Sequence, residues 1–216
     1  MSDPKFYEYS ATKNPKYLVI FLHGYGSNGK NLIDLAVEFK KVLPEAHFIS
    51  PNAIEPWEGG FPDSYQWFSI GAQITTLISE KIKKANEILS GFIKKKLTEF
   101  NLKYENLVLI GFSQGAMMAI YQSFITEEKM AAVVSFSGRV LLAEEFFDKK
   151  LAKTSICLIH GKQDSVVSFS NFLEAEKNLT KLQISHESHA FEKLDHTIDI
   201  RGIKAAQAFI TKQISK

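Results

Sequence analysis

Leu107-Val-Leu-Ile-Gly-Phe-Ser-Gln-Gly-Ala-Met-Met-Ala119 is the stretch whose reading decides the fold. Four aliphatic residues read as a buried strand, Gly111-Phe-Ser113-Gln-Gly115 follows at once, and a small-residue, helix-forming run comes directly after. A G-x-S-x-G turn between a strand and a helix is a nucleophile elbow. The turn is too tight for a β-carbon at either glycine, and it holds the serine hydroxyl exposed at its tip. The new helix also aims backbone N–H groups and the positive end of its dipole at any negative charge that develops there. A bare G-x-S-x-G occurs by chance in loops; the strand before and the helix after make Ser113 a candidate nucleophile.

Outward from this centre, short aliphatic runs alternate with longer helical patterns. The runs are Tyr17–Leu22, Ala46–Ser50, Leu107–Ile110, Ala131–Phe136, Ser155–Ile159 and a more mixed Leu182–His186. Most are continuously apolar, as strands buried on both faces are, and the alternation predicts βαβ units with a mostly parallel sheet. Helical patterns cover 31–42, 114–125, 170–179 and 202–214. The clearest runs from Ile74 to Leu97, where Ile78, Ile82, Ala85, Leu89, Phe92 and Ile93 repeat at spacings of three and four and Leu77 and Ile88 extend the stripe. Lys83, Lys84, Lys94, Lys95 and Lys96 fall largely off that stripe and read as a solvated face. Residues 138–154 are too short for an inserted cap domain, so the expected architecture is a cap-free α/β fold with helices on both sheet faces.

At 216 residues the chain fits one domain spanning 1–216, and 45% hydrophobic against 23% charged residues excludes a wholly disordered chain. The formal charge of +2 gives no support to a nucleic-acid partner. Only Arg139 and Arg201 are arginines, so bidentate phosphate recognition is sparsely provided. The lone Cys157 cannot form an intrachain disulfide and, lying in an apolar run, reads as an inert thiol. Met1–Ser10 has no apolar core of a signal peptide, and no apolar run approaches 18 residues; a cytoplasmic protein is the expectation.

A nucleophilic serine needs a base and an acid that orients it. Of the six histidines, His23 and His160 read as strand-end turn residues and His47 as a packed or edge residue. His186 and His189 form H-E-S-H, which lacks the spacing of a zinc-binding H-E-x-x-H, so no metal site is expected. His196 lies after the last strand-like run and before the last helix, where a serine hydrolase of the order Ser, Asp, His carries its base. Asp164, beyond the His160-Gly161 turn, is placed to accept the Nδ1–H of that histidine; Asp148, Asp195 and Asp199 are poorer candidates. The residue after the nucleophile, Gln114, supplies one oxyanion N–H. The glycine-containing turn Phe21-Leu-His-Gly-Tyr-Gly-Ser27 is where a second could project.

Residues 51–72 form a long irregular loop with both tryptophans and three of the six prolines. Ile54, Trp57, Phe61, Tyr65, Trp67 and Phe68 are many large apolar side chains to leave in water. Leaving the carboxyl end of a strand, the loop is expected to fold over Ser113. There Trp57, Phe61, Trp67 and Phe68 would offer an acyl-binding surface that could also touch membrane.

Leu22-His-Gly-Tyr-Gly26, Gly111-Phe-Ser-Gln-Gly-Ala116, His160-Gly-Lys-Gln-Asp-Ser-Val-Val167 and Asp195-His196 together resemble the carboxylesterase, phospholipase and acyl-protein thioesterase family of α/β-hydrolases, over nearly the whole chain. The resemblance implies a Ser113–Asp164–His196 triad, with Leu22 and Gln114 backbone N–H groups as oxyanion donors. It also implies cofactor-free cleavage of carboxylic esters or thioesters in small-molecule, lipid or acylated-protein substrates. Gln66-Trp-Phe68 resembles the family's aromatic tripeptide near the acyl site. The chain departs from the family where a basic residue often precedes that tryptophan and a glycine the histidine; these positions bear on substrate preference and leave the triad intact. Lysophospholipid hydrolysis or lactone opening on the same triad, and a non-catalytic binding module of the same fold, are the alternatives. Monomer and homodimer fit equally.

Overall fold

The computed structural model describes residues 4–10, 12–70 and 75–215. Nine strands run in chain order: β1 (Phe6–Ser10), β2 (Tyr17–Leu22), β3 (Ala46–Pro51), β4 (Glu55–Pro56), β5 (Tyr65–Gln66), β6 (Leu107–Phe112), β7 (Ala132–Phe136), β8 (Ile156–Gly161) and β9 (His186–Phe191). The helices are α1 (Lys30–Ile33), α2 (Ala36–Phe39), α3 (Thr75–Glu99), α4 (Gln114–Ile125), α5 (Phe169–Lys181) and α6 (Ile200–Ile214). Seven strands form one sheet in the order β1-β3-β2-β6-β7-β8-β9. All neighbours are parallel except β1, which lies antiparallel on β3.

The continuous apolar runs divide their side chains by period two between the faces. Leu18, Ile20, Leu107, Leu109, Ile156 and Leu158 pack on one face with α3, α4 and α5. Val19, Phe21, Val108, Ile110, Cys157 and Ile159 pack on the other with α2 and α6. The expected cap-free α/β-hydrolase architecture is the one observed: between β7 and β8 only a short 3-10 turn, Ala143–Phe146, interrupts the connection.

Three elements differ from the sequence expectation. The final strand is His186–Phe191, with Leu182 and Ile184 instead buried where α5 ends. An edge strand needs no continuous apolar run, and β9 is partly exposed at every position. The pattern over 31–42 resolves into two short helices, α1 and α2. Strand β1 and the β4–β5 hairpin had no aliphatic run to announce them. In α3, Ile82, Ala85, Leu89, Phe92, Ile93 and Leu97 are buried as the stripe requires. Lys96 is buried too, its ammonium 2.9 Å from Glu99 and 4.1 Å above the Phe6 ring. Ile74, Gly71 and Ala72, with Met1 to Asp3 at the amino terminus, lie outside the described residues, as does the Leu77 side chain.

Candidate active site

Parallel strands all deliver their loops to one side of the sheet, at their carboxyl ends, and there the candidate residues gather. β6 is the central strand. Ser113 follows it with φ +53° and ψ −118°, outside the usual regions for a residue with a side chain, and directly precedes α4. A β-carbon on Gly111 would lie 2.3 Å from the Gly115 carbonyl oxygen, and one on Gly115 only 2.0 Å from that of Leu22. Both glycines are therefore demanded by close backbone approach. The Ser113 N–H donates to the Phe136 carbonyl at 2.9 Å, which pins the turn to β7.

Asp164 and His196 meet across loops that are far apart in the chain. Asp164 Oδ2 lies 2.8 Å from His196 Nδ1, while Oδ1 accepts the N–H groups of Val166 (3.0 Å) and Val167 (2.8 Å). Burial alone would raise the Asp164 pKa, but hydrogen bonds from His196, Val167 and Ser137 outweigh it and hold the carboxyl below its ordinary value. The His196 ring packs on Phe112, next to the serine, with centroids 4.8 Å apart. Asp195 accepts from the Ser165 and His196 N–H groups, at 3.1 and 2.8 Å, and so ties the loop after β9 to the loop after β8. His160, behind the acid, donates from Nε2 to the Val167 carbonyl at 2.8 Å and lies 3.3 Å from Asp164 Oδ2.

A cavity of about 310 Å³ opens at Ser113. Gln114 and Met117 line it from α4, Phe68 and Ile70 from the long loop, and Tyr25 from the loop after β2. Arg139, Val166, Val167 and Asn171 complete it from the loops after β7 and β8 and the start of α5. Of the four aromatics expected at an acyl surface, Phe68 lines this cavity. Trp67 lies in the core beneath, its indole N–H donating to the His23 carbonyl and its backbone N–H to the Gln114 side chain. Trp57 stacks on Phe61 and meets Tyr25 edge-on, while Phe61 is 68% exposed; neither lines the cavity. The hairpin of β4 and β5 that carries them is laid on the loop after β2 through Gly26 N–H to the Tyr65 carbonyl at 2.9 Å. Gln114 lies at the cavity, whereas Leu22 is fully buried, paired with Gly111 inside the sheet.

The sequence profile of the phospholipase/carboxylesterase family matches residues 8–214. The chain belongs to that family. As such it is a hydrolase of the α/β-hydrolase class. Among its relatives, esterase YpfH of Escherichia coli (strain K12) is 28% identical over 222 residues, covering 100% of this chain and 91% of its own. Acyl-protein thioesterase 1 homolog 1 of Dictyostelium discoideum is 28% identical, covering 92% of this chain and 91% of its own. The crystal structure of esterase PE8 superposes with a TM-score of 0.89 at 31% identity, covering 97% of this chain and 98% of that one. Acyl-protein thioesterase 2 of Zea mays, at 19% identity and TM-score 0.80, shares the fold over 98% of this chain and 99% of its own.

Several lining residues of this family member were not singled out by sequence reasoning. Tyr25 and Val166 sit inside motifs already recognised. Arg139 and Asn171 carried no motif, and rarity of arginine was the one signal pointing to Arg139. His186 and His189 lie along edge strand β9, and among the described residues no cluster of three or more His, Cys, Asp or Glu forms that could hold a metal.

Proposed function

We propose that this chain is a serine hydrolase that cleaves carboxylic esters or acyl-thioesters through an acyl-enzyme on Ser113. The observation that carries this reading is a strained serine lining a cavity, next in the chain to Phe112, on which packs a histidine hydrogen-bonded to a buried aspartate at 2.8 Å. Ser113 Oγ attacks the acyl carbon as His196 Nε2 takes its proton; His196 then protonates the departing alcohol or thiol. Water repeats the sequence and releases the acid. Asp164 holds the Nδ1–H tautomer and stabilises the imidazolium.

The Gln114 N–H, at the unpaired start of α4, is one oxyanion donor. We assign the second to the Tyr25 N–H in place of Leu22. Tyr25 lines the cavity and its N–H has no backbone partner among the described residues, while Leu22 is buried and paired with Gly111 inside the sheet. Phe68 and Met117 supply apolar surface for the acyl chain. The esterase and acyl-protein thioesterase names of the relatives support ester or acyl-protein substrates, and the phospholipase/carboxylesterase family a lipid ester. A fluorophosphonate probe tests the reading: stoichiometric labelling at Ser113, lost in Ser113→Ala, is expected, and labelling elsewhere or none would overturn it.

A further inference from the structure

Arg139 lines the same cavity as Ser113 and is the only charged residue to do so among the described residues. It is exposed and has no hydrogen-bond or ion-pair partner among them. Arg201, the other arginine, is engaged: it bonds Asp199 at 2.6 Å and the Glu192 carbonyl at 3.3 Å, over the Phe191 ring. Elsewhere the chain uses lysine for its solvated cations. What a guanidinium adds over an ammonium is a planar fork that takes a carboxylate or phosphate through two parallel hydrogen bonds.

The backbone fixes where this side chain sets out. A β-carbon on Gly138 would lie 2.6 Å from Ser135 Oγ and 2.7 Å from Ala116 Cβ, so this residue is pressed against the first turn of α4. The Phe136 carbonyl holds the elbow, and the Ser137 N–H donates to the Ile159 carbonyl at 2.8 Å. Residue 139 therefore leaves a clamped segment beside the nucleophile. Among the described residues no carboxylate pairs with it: Glu58 is taken up by Tyr25 and Ser69, and Asp164 by His196, Val166 and Val167. The wall around it is apolar at Phe68, Met117 and Val167.

We propose that the substrate of this site carries a second, anionic group, a carboxylate or phosphate, which Arg139 holds while the ester or thioester carbonyl lies at Ser113. This rests on the serine-hydrolase reading above. The anion can belong to the acyl chain or to the leaving alcohol or thiol, since both present the same chemistry to the guanidinium.

Two pairs of substrates separate these sources. For the acyl side, the mono-p-nitrophenyl ester of glutaric acid is compared with p-nitrophenyl valerate. For the leaving side, S-butyryl-3-mercaptopropionate is compared with S-butyryl-propanethiol. In at least one pair the anionic member is expected to be favoured about tenfold in kcat/KM, the scale of one exposed charge-assisted contact. The preference should shrink as ionic strength rises. Arg139→Gln should bring the ratio toward one and Arg139→Glu should invert it, with melting temperatures confirming folded variants. A ratio near one in both pairs, or one unchanged by Arg139→Gln, overturns the proposal while leaving the hydrolase reading intact. Failure to cleave any of the four overturns that reading itself.

Discussion

His23 directly follows β2 and stands just before the cavity-lining Tyr25, with both ring nitrogens committed. Nδ1 lies 2.8 Å from the Gly24 carbonyl, and Nε2 lies 2.8 Å from the Ala53 nitrogen. A backbone N–H can only donate, so Nε2 must be the bare acceptor and Nδ1 must carry the hydrogen. Protonation would set N–H against N–H at a residue only 1% exposed. Burial accordingly pulls the pKa from its ordinary 6.5 to about 4, against a smaller opposing effect of the Gly24 carbonyl. Because the folded value lies below the unfolded one, folding favours the neutral ring. That stability is complete above about pH 6.5 and is lost as pH falls toward 4. At 1.36 kcal/mol per pH unit the full loss is about 3 kcal/mol, of which about 2 kcal/mol is gone by pH 5. Urea unfolding at pH 7 and pH 5 should therefore show a difference about 2 kcal/mol larger in the native protein than in His23→Gln. His160, whose pKa burial also lowers, is present in both and contributes to both slopes. Equal slopes would refute the reasoning. Nitrogen-15 spectra of labelled native protein give an independent check. His23 should remain the neutral Nδ1–H tautomer at pH 5, and titration near 6.5 would refute the argument as well.

Ser113→Ala and His196→Ala should each lower kcat by about 10⁴ to 10⁶, with the double variant little worse, and Asp164→Asn by about 10⁴; near-full activity in Asp164→Asn would require another orienting acid. Cys157, whose thiol burial pushes up to about 12, should resist iodoacetamide in the folded protein, and rapid stoichiometric labelling would contradict its buried placement. Phe68→Ala should reduce kcat/KM for octanoyl esters more than for acetyl esters, since each methylene buried at the cavity contributes about 0.8 kcal/mol; an equal loss for both would remove Phe68 from the acyl surface. Phe61→Ala, at a 68% exposed position, should leave the melting temperature nearly unchanged, and a large drop would show that the hairpin tip packs as core.

The elbow was legible in the sequence because it is local. Strand, turn and helix are contiguous from Leu107 to Ile125, and Gly111 answers to the backbone of Gly115 and Ala116 that the turn itself brings close, while Gly115 answers to Leu22 on the neighbouring strand. The parallel sheet was legible for a related reason: strands buried on both faces must be apolar at every position, whichever neighbour they take. The partnership of Asp164 with His196 was anticipated from chain order, but the 2.8 Å contact itself belongs to the tertiary structure, because it depends on β8 and β9 lying side by side and on Asp195 tying their loops together. It also divided the aromatics of the long loop, burying Trp67, bringing Phe68 to the cavity and leaving Phe61 in solvent. Their shared hydrophobicity promised burial somewhere but named no partner. Edge strand β1 and the last strand were hidden for the converse reason. An edge is half solvated and asks little of its side chains, so its composition is free to resemble a loop. Arg139 stands at the same limit: its chemistry is written in one residue, but its place beside Ser113 comes from three strands and a helix packed against one another.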